Sequence, residues 1–122
     1  MKRLLLVDDD ANLLDSAKDI LEDAGYHVQT AHNLAAARAV LAVGAIHILL
    51  VDFNLPDGKG TDLAQEVRAS YPRVKIMLMT GEVPVAINAA SATFDVVLTK
   101  PVDPATLLTL LSAFNTNADP PA

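Results

Sequence analysis

The chain has 122 residues, 52% of them hydrophobic, which suits one domain with a real core. Its net charge of −6 disfavours direct contact with nucleic acid or an anionic membrane surface. The absence of cysteine excludes disulfides and thiolate metal sites, and no apolar run approaches the ~20 residues of a membrane span. Met1-Lys2-Arg3 before Leu4–Val7 has the look of a signal peptide, but Asp8, Asp9 and Asp10 end that run too soon for one. A cytoplasmic protein is expected.

Leu4 to Val7 reads as a strand buried on both faces, because its apolar run has no polar alternation. A helix follows from about Asn12 to Ala24, with Leu13, Leu14, Ala17, Ile20, Leu21 and Ala24 on one face and Gly25 as its stop. Tyr26–Ala31 is a second strand. Asn33 caps a second helix, which runs through Val43 to Gly44. Ile46–Val51 is the clearest buried strand, closed by Asp52. Residues 53–60 read as a loop rich in turn residues. A helix over Thr61–Ser70 is broken by Pro72, and Val74–Met79 is the fourth strand. Pro84–Ala92 reads as a short helix and Val96–Thr99 as the fifth strand. Asp103-Pro104 opens a last helix with a strongly apolar face of Leu107, Leu108, Leu110, Leu111 and Phe114. The domain is expected to span residues 1–114. Residues 115–122 are either a fraying polar tail or the beginning of a linker.

Strands and helices that alternate five times predict an α/β doubly wound sandwich with a five-stranded parallel sheet. The flavodoxin-like strand order 2-1-3-4-5 is the favoured arrangement. It places strands one, three, four and five together, and these are the strands that end in polar residues: Asp8 and Asp9, Asp52, Thr80 and Lys100. Carboxyl strand ends share one edge of such a sheet, and ligands bind there. Residues more than ninety positions apart therefore meet in one acidic pocket with a single Lys.

Three converging carboxylates repel each other, and a divalent cation resolves the conflict. Mg²⁺ takes hard oxygen ligands. Asp9 and Asp52 are candidate direct ligands, Asp8 acts directly or through water, and a backbone carbonyl near Asn54 completes the protein's share. A metal and Lys100 keep Asp52 ionised and able to act as a nucleophile. Attack on a phosphoryl donor needs charge neutralised on its equatorial oxygens, a task for Mg²⁺, Lys100 and Thr80. Taken singly, each residue has a plainer reading: Asp8–Asp10 as a solvated turn with Asp10 or Asn12 as a cap, Thr80 as a strand or cap residue, Lys100 as a loop Lys. Their joint placement at four strand ends favours chemistry. His27, His32 and His47 show no ligand spacing and are assigned to the surface or to strand edges.

The segments Leu-Val-Asp8-Asp9, Val-Asp52-Phe-Asn-Leu-Pro56-Asp-Gly-Lys-Gly60, Met-Thr80-Gly81 and Leu-Thr-Lys100-Pro101 together resemble the response-regulator receiver domain of two-component signalling, from Lys2 to about Phe114. The resemblance implies that Asp52 takes a phosphoryl group from a phosphohistidine on a sensor histidine kinase or phosphotransfer protein, with Mg²⁺ required. It further implies a cis Lys100–Pro101 peptide, Thr80 as a conformational switch, and tuning of dephosphorylation by Asn54 and Glu82. Both can orient a water, so a short-lived phosphoryl group is expected. The domain would catalyse only its own phosphotransfer and dephosphorylation.

Two departures from the family pattern concern signal output. Val97 stands where the family usually carries an aromatic, with Phe94 nearby and more in keeping with core packing, and the Thr80–Lys100 stretch is about two residues short. An output domain or partner is expected to dock on the face of the fourth helix, fifth strand and fifth helix. That face is poor in charge, and Ala86, Ile87, Ala89, Ala90 and Val97 offer either an apolar contact surface or ordinary packing. The main rival is a haloacid-dehalogenase-like phosphatase, suggested by Asp8-x-Asp10. Against it stand the missing Thr or Val after that motif, the missing acidic pair beyond Lys100, and the short chain. A nucleotide- or flavin-binding module is disfavoured by three Asp and no Gly fingerprint after the first strand. A degenerate, docking-only receiver is disfavoured by the complete acidic and Lys set.

Overall fold

The computed structural model describes residues 2–81, 94–100 and 102–115. Its elements are β1 (Arg3–Val7), α1 (Ala11–Asp23), β2 (His27–Ala31), α2 (Leu34–Val43), β3 (Ile48–Asp52), β4 (Asn54–Leu55), β5 (Gly58–Lys59), α3 (Gly60–Ser70), β6 (Lys75–Thr80), β7 (Val96–Thr99) and α4 (Pro104–Asn115). Five strands form one parallel sheet in the order β2-β1-β3-β6-β7. This is the expected 2-1-3-4-5 order, renumbered because the stretch expected as a plain loop holds a two-stranded antiparallel hairpin, β4-β5. Leu55 pairs with Gly58, so Pro56 and Asp57 make the turn, with Pro at its first central position, where its fixed φ is favoured. The expected helix over Pro84–Ala92 lies outside the described residues, as do Glu82, Pro101 and the tail from residue 116.

The apolar runs of the central strands are explained by burial on both faces. Leu5, Val7, Leu49, Val51, Ile76 and Leu78 pack with Leu34, Ala37 and Leu41 of α2 and with Leu63, Ala64 and Val67 of α3. The alternate residues Leu4, Leu6, Ile48, Leu50, Met77 and Met79 pack on the other face with Leu14 and Leu21 of α1 and with Leu107 and Leu111 of α4. The period-two alternation of side chains in a strand divides each run between the two layers. Phe94 belongs to the first cluster, in keeping with core packing, whereas Val97 is exposed. No helix among the described residues is long and apolar enough to cross a membrane.

Local chemistry sets the helix starts. Asp10 caps α1, its side chain accepting from the backbone N–H of Asn12 and Leu13, so the helix begins one residue earlier than its apolar stripe suggests. Asn33 caps α2 and Asp103 accepts from the Thr106 N–H at the head of α4. β3 begins at Ile48 rather than Ile46, with His47 as the approach to it.

His47 is half-buried at the opposite end of the sheet from the acidic edge, and its Nδ1 accepts from the Arg3 N–H at 3.0 Å. Partial burial, then Lys2, the N-terminus and Arg3, hold its pKa below the ordinary value. The unfolded chain therefore binds this proton more readily than the folded one. The contribution of His47 to stability is fully present above about pH 6.5. It is lost as pH falls through the lower folded-state pKa. Thermal unfolding between pH 7.5 and 5 should show a decline in Tm that is smaller in His47→Gln; equal slopes would contradict this.

Candidate functional site

Sheet register builds the site. Val7 pairs with Val51, Asp52 with Met79 and Thr80 with Thr99, so Asp8, Asp52, Thr80 and Lys100 all stand at the carboxyl edge of the sheet. The backbone secures them individually. The N–H of Asp8 donates to the carbonyl of Ala31, that of Phe53 to Met79, and that of Lys100 to Thr80, at 3.1, 2.8 and 2.7 Å.

The side chains form a connected electrostatic set. Lys100 Nζ lies 2.9 Å from Asp8 Oδ2 and 3.2 Å from Asp52 Oδ1, so one ammonium bridges two carboxylates. Asp8 is fully buried, and its other oxygen accepts from the Asp10 N–H at 3.0 Å. Asp52 is 7% exposed and Thr80 2% exposed, while Asp9 is exposed at the mouth. Burial and then the charge of Asp8 push the Asp52 pKa above the usual carboxylate range, against the pull of Lys100, with Asp9 adding to the rise. Burial alone would lower the pKa of Lys100, but its hydrogen bond to Asp8 and the charges of Asp8 and Asp52 outweigh that and raise it.

Carboxylate oxygens of Asp8, Asp9 and Asp52 lie within 4.8 Å of one another. Three hard anionic donors in that space, against a single Lys, fit a divalent cation such as Mg²⁺. Asn54, whose carbonyl was expected to complete the ligand set, begins the hairpin two residues after Asp52 and is exposed.

The loop beyond Asp52 is shaped by Gly60 and Asp57, which the sequence shows only as members of the 52–60 motif. Gly60 N–H donates to the Phe53 carbonyl at 2.7 Å, and a Cβ on Gly60 would collide with the Asp52 carbonyl oxygen. Only Gly lets the start of α3 approach Asp52 this closely. Asp57 reaches across to α2, accepting from the N–H of Leu34 at 2.8 Å and of Ala35 at 3.1 Å. The Leu34 hydrogen bond is the main cause of its lowered pKa, with the Ala35 bond adding to it despite an opposing desolvation effect. Lys59 donates to Asn54 Oδ1. The Pro56-Asp57-Gly58 turn signal would have located the hairpin, but nothing local in the sequence points Asp57 at α2.

A family model described as the response regulator receiver domain matches residues 4–112. The chain belongs to that family. The receiver protein CpdR of Brucella abortus is 40% identical over 91 residues, covering 75% of this chain and 76% of CpdR. PilR of Pseudomonas aeruginosa is 33% identical over 104 residues, 84% of this chain but only 23% of PilR. A receiver domain protein described as CheY-like, from Methanospirillum hungatei JF-1, superposes with a TM-score of 0.87 at 33% identity over 95% of both chains. Chemotaxis response regulator CheY4 of Vibrio cholerae gives 0.86 at 30% identity, over 93% of this chain and 98% of that one. The receiver is thus a phosphoacceptor signalling domain, and the dehalogenase-like reading of Asp8-x-Asp10 finds no support.

Two variants probe the built edge. Because its pKa is raised, Asp52 binds a proton more readily in the folded than in the unfolded chain, so its contribution to stability falls as pH rises above the unfolded-state value. At neutral pH the ionised group is a net cost. Asp52→Asn should raise Tm at pH 7.5 in the presence of a chelator, and a lower Tm would contradict the electrostatic reading. Gly60→Ala should destabilise by about 1–3 kcal/mol in chemical denaturation, the range for forcing extra volume into a packed site. A neutral result would show that the close approach is not needed.

Proposed function

We propose that Asp52 is the phosphoacceptor of this receiver, taking its phosphoryl group from a phosphohistidine on a sensor kinase or phosphotransfer protein. The observation that carries this reading is the bridge from Lys100 to both Asp8 and Asp52 beneath an exposed, acidic mouth. In the transfer, the P–N bond to the donor imidazole breaks and the imidazole keeps the bonding pair. A P–O bond forms to an Asp52 oxygen. Lys100 is already hydrogen-bonded to the nucleophilic carboxylate and moves little to meet the incoming phosphoryl oxygens. Asp8 is buried and holds Lys100 in place. Thr80, at the end of the adjacent strand, supplies a hydroxyl that bonds the phosphoryl group and couples its arrival to a change in the following segment.

Asp8, Asp9 and Asp52 with the Asn54 carbonyl are the groups that would hold Mg²⁺. When bound there, Mg²⁺ neutralises the carboxylates and the phosphoryl oxygens. The reading extends to hydrolysis of the acyl phosphate: Asn54 stands exposed two residues beyond Asp52 and can orient a water. Glu82, the second expected tuning residue, and the cis peptide expected at Pro101 lie outside the described residues. For output, the burial of Phe94 and the exposure of Val97 favour a switch that works without an inward-turning aromatic. An output partner on the β7–α4 face would meet a surface with few charges.

Acetyl phosphate with Mg²⁺, followed by intact mass, should add one phosphoryl group to the wild-type chain and none to Asp52→Asn. Equal labelling of the two would overturn the assignment. The label should decay with a half-life well short of many hours, and a label stable over that time would remove the hydrolysis step.

A further inference from the structure

We propose that Lys59 is a positioning residue that lengthens the life of phospho-Asp52 by holding the side-chain amide of Asn54. The proposal rests on Asp52 as phosphoacceptor. Asn54 and Lys59 are direct partners across the β4-β5 hairpin, and Lys59 Nζ donates to Asn54 Oδ1 at 2.5 Å. The ammonium also sits 5.1 Å from the centroid of the Phe53 ring, which is packed against the core. A cation over an aromatic face is attracted to it, so the Lys59 ammonium has a second attachment beside Asn54. Phe53, Asn54 and Lys59 form a small clamp immediately beyond the phosphoacceptor.

The clamp decides which face of the amide a water meets. An Asn side chain has one accepting oxygen and one donating NH₂ group. A water attacking phosphorus needs its own lone pair free. An amide oxygen that accepts a hydrogen from this water leaves the lone pair free and makes the water more nucleophilic. An amide NH₂ that donates to the water draws on one of its two lone pairs and makes it less nucleophilic. The charge-assisted bond from the Lys59 ammonium takes one of the two lone pairs of Oδ1, draws its electron density and fixes its direction, so Asn54 is a weaker acceptor towards water. The oxygen assists hydrolysis at full strength only when the bond to Lys59 is given up. Lys59 thus restrains the hydrolysis that Asn54 would otherwise promote, without touching phosphorus itself.

The test uses the full chain, labelled with acetyl phosphate and Mg²⁺ and then freed of donor, with loss of label followed by intact mass. Lys59→Met keeps a long apolar side chain against Phe53 and removes the ammonium. Its label should decay about three- to tenfold faster than wild type, the range for losing one hydrogen bond of ordinary net strength. Lys59→Arg should stay near wild type. In an Asn54→Ala background the Lys59→Met change should have no effect, because its target is gone. Decay in Lys59→Met at or below the wild-type rate would overturn the proposal. So would an acceleration that persists in the Asn54→Ala background, which would assign the effect to the charge alone. Failure of the wild type to take label, or labelling of Asp52→Asn, would instead remove the phosphoacceptor assignment on which the proposal rests.

Discussion

The ammonium of Lys100, shared between Asp8 and Asp52, is the interaction on which the acidic edge depends. Two carboxylates about 4 Å apart would repel by about 4 kcal/mol at an effective dielectric of about 20. Asp8 is fully buried and Asp52 nearly so, which raises the cost of leaving either charge uncompensated. Lys100 offsets part of that cost, yet the Asp52 pKa still sits above its usual range. The edge therefore keeps an unmet demand for positive charge. That demand is what makes it receptive to a divalent cation and suits it to a reaction in which negative oxygens arrive on a phosphoryl group.

The rest of the fold holds this conflict in place. A parallel sheet buried on both faces fixes the strand ends relative to one another, since a slip in register would move whole apolar runs out of their layers. Gly60 lets α3 begin against the backbone of Asp52. Asp57 ties the hairpin beyond Asp52 to the start of α2. At the far end of α3, Arg68 pairs with Asp95 at 2.8 Å, and Asp95 also accepts from the Ile76 N–H at 2.8 Å, which anchors the segment leading into β7. Lys100 leaves that strand, so its aim depends on this anchorage at the strand's beginning.

The five strand-end residues were legible in the sequence because each follows an apolar run long enough to be a buried strand, and a parallel sheet collects such ends on one edge. Strand order followed from the same pattern. The roles within the cluster were less legible. Asp8 and Asp9 are neighbours in sequence just beyond β1, but one is buried beside Lys100 and the other is exposed at the mouth. The hairpin after Asp52 was missed because Asn54, Leu55 and Lys59 carry no alternating pattern over so few residues; its signal lies in the turn residues Pro56-Asp57-Gly58. The reach of Asp57 to Leu34 and of Arg68 to Asp95 are contacts between distant elements, set by packing and invisible to local periodicity.

Family membership and the geometry of the edge lead to the same chemistry, in which one carboxylate among three accepts phosphate. Asp8 is engaged on both oxygens, Asp9 is exposed at the mouth, and Asp52 combines a Lys contact with a place beside the exposed hairpin. The most direct measurement traps the acyl phosphate by borohydride reduction after treatment with acetyl phosphate and Mg²⁺, then maps the altered residue by peptide sequencing. Homoserine at position 52 and at no other Asp is the expected result. Homoserine at position 8 or 9, or an unaltered position 52 in a chain that has taken up phosphate, would contradict the account.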